Sequence, residues 1–175
     1  MEFEIKDGKG HIKEFSDKGI LIFEGEYLNG KRNGKGKEYD EGNLLFEGEY
    51  LGGKRWNGKG KENYSDKKIK FEGEYLNGKR WNGKGYNKNG KLEFELKEGQ
   101  GKIKEYECND KLIFEGELLN GKRNGNGKEY YNYANGKLLF EMEYLNGEIL
   151  NGKLYNNEGI MKLGIKNGKI IKIKE

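Results

Sequence analysis

Few residues in this chain could do chemistry, and their spacing settles most of the question. There is one histidine, His11, and one cysteine, Cys108, so neither a Cys/His metal set nor an internal disulfide can be assembled. His11 has no second His, Cys or paired carboxylate at a useful spacing, and its expected cross-strand neighbour is Glu4, which makes it a surface residue. Cys108 precedes Asn109-Asp110 at the expected end of a strand and has no base beside it, so it reads as an ordinary thiol. The strings GKRNGKG suggest a phosphate-cradling loop, but that chemistry needs Lys followed by Ser or Thr at the mouth of a helix. Hairpin turns account for them instead. The glutamates are numerous, yet a Lys is expected opposite each, which would lower carboxyl pKa values rather than raise one for proton donation. No catalytic set, metal site or cofactor is expected, and the chain reads as a non-enzyme.

Binding is the remaining chemistry. Arg32, Arg55, Arg80 and Arg123 each follow a turn Lys and are expected to face Tyr27, Tyr50, Tyr75 and Leu118. Cation–π packing would contribute about 0.5–1 kcal/mol per exposed pair. The same Lys-Arg ladder could instead hold phosphate headgroups or an acidic partner, although the adjacent Glu ladder cancels most of its field. Trp56 and Trp81 stand out because KRWNGKG replaces KRNGKG in their units, and one extra residue in a hairpin strand makes a β-bulge. Two rings at the same place in adjacent units would lie roughly 10 Å apart. They either thicken a thin core or anchor a partner.

The whole chain must be an architecture that positions these residues with little core. Of 175 residues, 33% are hydrophobic, 37% charged, 30 are Gly and none is Pro, and the mean hydropathy is −1.10. The 13% of aromatics and their regular placement argue against disorder. The 34 basic and 30 acidic residues leave a net charge of +4 with the signs interleaved, a pattern that argues against a nucleic-acid partner. No run has the length of a membrane span and the N-terminus lacks a signal-peptide pattern, so a cytoplasmic location is expected.

Internal repetition supplies the architecture. The string FEGEYLNGKRNGKGKEY at Phe23 recurs from Phe46, Phe71 and Phe114, more weakly from Phe140 and Met161, and in shortened form from Phe3 and Phe94. These eight starts define a period characteristic of stacked arrays. Within a unit, Leu21, Phe23, Gly25 and Tyr27 alternate with Ile22, Glu24, Glu26 and Leu28 before Asn29-Gly30, the strongest short hairpin signal. A two-residue loop there places Tyr27 opposite Arg32, Gly25 opposite Gly34, Glu24 opposite Lys35 and Phe23 opposite Gly36. Phe94 likewise faces Ile103 across Glu98-Gly99. The bare glycines leave room for the rings to lie across the neighbouring backbone. Second turns at Asp40–Asn43, Ser65–Lys68, Asn89-Gly90, Asn109-Asp110, Asn135-Gly136 and Asn157–Gly159 are too short for helices. The expected fold is all-β: residues 1–175 form one domain, a single elongated antiparallel meander of about sixteen strands, on the order of 75 Å long.

The pattern (F/Y)EGE(Y/W)xNGKRxGKGxxxY, as it stands in these units, resembles the MORN repeat in its bacterial-type variant over nearly the whole chain. The resemblance implies hairpins joined into one twisted sheet with an aromatic-lined groove, and a scaffold that binds another protein or a second copy of itself. It also implies recruitment near membranes or cytoskeleton, and for some bacterial relatives an antitoxin-like role. The units at Phe3 and Phe94 lack the Gly-Glu-Tyr tail, and the last two have lost the Arg. The expected function is a non-enzymatic scaffold presenting an aromatic groove of Tyr27, Tyr50, Tyr75, Trp56 and Trp81. The alternatives are a peripheral phospholipid-binding module using the Lys-Arg ladder and an antitoxin-like inhibitor of a partner protein.

Overall fold

The computed structural model describes residues 2–107, 110–130 and 137–172. Cys108, Asn109 and the turn at Asn135-Gly136 lie outside the described residues. All regular structure among the described residues is β-strand, sixteen antiparallel strands in which neighbours in sequence are neighbours in space.

The chain folds as two compact units. The first comprises Met1–Glu62 and Phe71–Gly83. It contains β1 (Glu2–Lys6), β2 (Lys9–Phe15), β3 (Leu21–Leu28), β4 (Lys31–Asp40), β5 (Asn43–Leu51), β6 (Lys54–Asn63) and most of the hairpin β7 (Ile69–Leu76) and β8 (Lys79–Tyr86). The second comprises Asn63–Lys70 and Lys84–Glu175. Its strands are β9 (Leu92–Leu96), β10 (Gly101–Tyr106), β11 (Leu112–Leu119), β12 (Lys122–Tyr130), β13 (Leu138–Leu145), β14 (Glu148–Tyr155), β15 (Met161–Lys166) and β16 (Lys169–Lys172). The hydrogen-bonded ladder is not continuous. β9 and β10 share one isolated bridge, Lys97↔Gln100, so the meander consists of a nine-stranded and a seven-stranded sheet rather than a single one.

The turns follow the sequence. Asn29 and Gly30 take φ of 49° and 75°, the left-handed pair that a two-residue loop needs and that Asn-Gly adopts at little cost.

The register departs from expectation beyond the first two pairs. Leu28↔Lys31 and Tyr27↔Arg32 hold, but Gly25 then pairs with Gly36 instead of Gly34, Glu24 with Lys37 instead of Lys35, and Phe23 with Glu38 instead of Gly36. Two extra residues bulge out of β4, with Gly34 at φ 95°. The cause lies in the next hairpin: the bulged Asn33 turns its side-chain oxygen to accept the Gly52 amide, and the Arg32 carbonyl accepts the Gly53 amide. In the Trp56 hairpin the bulge is a single residue, as expected. Tyr50 pairs with Arg55 and Glu49 with Asn57, leaving Trp56 as the extra residue. Leu150 takes the same place between Tyr144↔Ile149 and Glu143↔Asn151.

The core is a row of rings laid on bare backbone. Phe23, Phe46, Phe71 and Phe114 are between 0% and 1% exposed. A Cβ on Gly36 would sit 2.6 Å from the Phe23 ring, so only a glycine lets that ring lie flat. Tyr50 closes edge-on over both Phe23 and Phe46, with centroids 5.1 and 5.3 Å away.

Candidate functional site

The arginines complete that covering. The Arg32 guanidinium lies 4.0 Å above the Phe23 ring and makes a two-pronged bond to Glu14 at 3.0 and 2.8 Å. Arg55 covers Phe46 at 5.0 Å and binds Glu38. Arg80 covers Phe71 at 4.8 Å and holds both carboxylate oxygens of Glu62. Arg123 covers Phe114 at 3.7 Å between Glu105 and Glu129. The ring nearest each arginine is therefore the Phe of the same hairpin, and Arg32 and Arg123 also reach Tyr50 and Tyr144 of the next hairpin at 5.9 and 5.7 Å; none stacks on the residue opposite it, contrary to what the register argument suggested. The planar fork suits this double duty of stacking and carboxylate binding.

Tyr50 and Tyr75 are buried, and their hydroxyls donate to Glu38 and Glu62. Burial first, then the adjacent carboxylate, raises both phenol pKa values. The rings expected to line an open groove are thus packed, because Arg and the neighbouring Tyr cover what a single sheet layer alone could not. Tyr27 is half-buried against Phe23. Trp56 and Trp81 are also half-buried. The Trp56 ring lies against Gly78 at the next hairpin's turn, whose amide donates to the Trp56 carbonyl.

The opposite face carries the Glu/Lys pairs. Along each strand, the residues on either side of the glycine row point away from the rings. In the first unit these pair as Glu24↔Lys37, Lys37↔Glu47 and Lys35↔Glu49. In the register His11 pairs with Glu4, as expected, and with Glu26 on its other side. A cavity of about 350 Å³ runs over Gly25, Gly36 and Gly48 between these two rows.

In the second unit the same construction is larger. Its floor follows the cross-strand row Ile103, Gly116, Gly127, Met142 and Gly152, and it encloses about 780 Å³. One wall is the cross-strand series Lys104↔Glu115, Glu115↔Lys128, Lys128↔Glu141 and Glu141↔Lys153. The other runs through Lys102, Glu117, Asn126, Glu143 and Asn151. Tyr130 and Tyr155 donate to Glu115 and Glu141 and hold those carboxylates upright. The sequence showed the Glu/Lys alternation, but a cavity depends on curvature across several hairpins, which no single unit encodes.

A second cluster in this unit was not legible either. Asp110 accepts the Ser65 hydroxyl at 2.5 Å and the Lys88 ammonium at 2.8 Å, joining three turns. Those bonds, Lys88 first, hold its pKa down at about 2. A carboxylate so firmly ionised and paired is a staple, not a base. Among the described residues no group of His, Cys, Asp and Glu is placed to hold a metal.

The family model described as MORN repeat matches residues 23–43 and 114–132. No curated protein matches the chain. The all-strand succession of hairpins agrees with that match. The repeat is a non-catalytic module of the kind that mediates protein or membrane-lipid contacts.

Proposed function

We propose that this MORN-repeat protein is a non-enzymatic scaffold that docks another protein in its charged troughs rather than on its aromatic rings. The cavity of about 780 Å³ in the second unit carries this reading. Space, a floor interrupted by three glycines and walls of long polar side chains coincide there, while the arginines and most rings are already engaged with one another. An inhibitor of the antitoxin kind would be one use of such a surface, and the cytoplasm its place of action. Partner complexes recovered from the source cells can be footprinted by amine labelling. Protection of Lys128 and Lys153 is expected; protection confined to the hairpin tips would refute docking in the trough.

One observation favours a lipid surface as the second reading. Leu51 is 51% exposed at a hairpin tip, paired across the turn with exposed Lys54, and Leu76, 37% exposed, ends β7 at the tip of the next hairpin. Binding to anionic vesicles that falls with salt and with Leu51→Ser/Leu76→Ser is expected on this reading.

A further inference from the structure

We propose that the trough of the second unit takes an α-helix carrying basic and acidic residues alternately along one stripe, at positions i, i+3, i+7 and i+10. The proposal rests on the trough being the docking site. The ligand class follows from the pitch of the wall. Glu115, Lys128, Glu141 and Lys153 stand on four consecutive strands, so the sign changes at every strand, about every 4.8 Å. Residues at i, i+3, i+7 and i+10 of a helix rise about 0, 4.5, 10.5 and 15 Å along its axis. The strands lie at about 0, 4.8, 9.6 and 14.4 Å, so four successive charges stay within about 1 Å of register.

Other occupants fail on the same geometry. An extended peptide presents same-side residues about every 6.8 Å and is out of phase by its third contact. A nucleic acid or an anionic lipid surface carries one sign and would meet Glu115 and Glu141 along with the lysines. A second copy has the right pitch, but two concave faces cannot close on each other.

The wall is ready for such a stripe. Among the described residues neither the Lys128 nor the Lys153 ammonium group has a hydrogen-bond or ion-pair partner, so both remain available. Glu115 and Glu141 each have one carboxylate oxygen fixed by a tyrosine hydroxyl and the other left to accept. A helix is about 10 Å across, so its charged stripe enters the trough while its body rides on the walls.

The test uses the full chain and two stapled, alanine-based helical peptides of equal charge. One has Lys, Glu, Lys, Glu at i, i+3, i+7 and i+10, and the other has Lys, Lys, Glu, Glu at the same positions. Fluorescence anisotropy at low salt is expected to show the alternating peptide binding at least about tenfold more tightly. Lys128→Glu/Lys153→Glu, checked by its melting curve to be folded, should abolish that preference. Equal binding of the two peptides, no binding of the alternating one, or an unchanged preference in the folded variant would each overturn the helix. The footprint of a native partner decides separately whether the trough is a docking site: protection there with a failed peptide test removes only the helix.

Discussion

Adding one methyl group at Gly48 tests most sharply the close approach of the glycine strands beneath the rings. A Cβ there would lie 2.2 Å from the Asn57 carbonyl oxygen and 2.6 Å from the Gly58 Cα, both backbone atoms of the paired strand. Neither can rotate away, so β5 and β6 must part by about 1 Å to reach ordinary contact. Parting them weakens the flanking ladder hydrogen bonds, each contributing about 1 kcal/mol. It also strains the layer over Phe46 as overpacking does, at about 1–3 kcal/mol. The smaller unfolded-state entropy of Ala returns about 0.4–1 kcal/mol. A net loss of about 3 kcal/mol is expected for Gly48→Ala from these opposing effects, and Gly73, with the Asn82 carbonyl oxygen at 2.1 Å, should behave alike.

Gly116 is the internal comparison, because its nearest obstacle is the Phe114 ring edge at 2.6 Å, with backbone only at 2.9 and 3.0 Å. A ring can tilt, so Gly116→Ala should cost about half as much. Met142 already carries a side chain at this position, opposite Gly152, and Met142→Val should cost about 1 kcal/mol. Urea unfolding of each variant gives the order directly. A Gly48→Ala loss no larger than that of Gly116→Ala or Met142→Val would show that the close approach of the strand backbones does not set the cost.

The remaining expectations concern charge and the bulges. Burial and Glu24 push the Tyr39 phenol up to about 12, and burial with Glu129 does the same for Tyr144. Folded values above the unfolded value of about 10 mean stability that is complete below pH 10 and lost as pH rises toward 12; absorbance titration should show late-ionising tyrosines, and Tyr144→Phe should flatten the fall. Asp110 has the opposite sign. With a folded value of about 2, its contribution is present above pH 4 and lost as pH falls through 2, so Asp110→Asn should remove that part of the acid sensitivity in a melting series. Arg123→Lys keeps the charge but loses the fork shared by Glu105 and Glu129 and the stacking on Phe114; a loss of about 2 kcal/mol is expected in urea. Trp56→Ala/Trp81→Ala should lower thermal stability while leaving partner capture intact, since Trp56 packs on the next turn; lost capture with unchanged melting would make the pair an anchor.

Hairpin turns are a matter of two residues, and Asn29-Gly30 announced its own conformation, which is why the strands and their order were readable without coordinates. Register was not, because Asn33 serves the hairpin after its own. Its side chain leaves β4 to bind the Gly52 amide, and that requirement of the neighbour, not any preference within FEGEYLNGKRNGKG, slides Phe23 from Gly36 to Glu38. Asn57 and Asn124 accept from the Asn77 and Asn146 amides in the same way, so this Asn ties each hairpin to the turn of the next. The arginines mislead for a related reason. Arg32 sits opposite Tyr27, yet its partners are Phe23 along the sheet and Glu14 on the preceding hairpin. A repeat displays each unit's internal pairings in every copy, but contacts from one unit to the next are spaced by the period itself and disappear into the alignment that reveals it. The trough belongs to that hidden class: the Glu/Lys pairs are legible in each unit, but the row that they form runs across strands of several hairpins, where a partner lying perpendicular to them would read it.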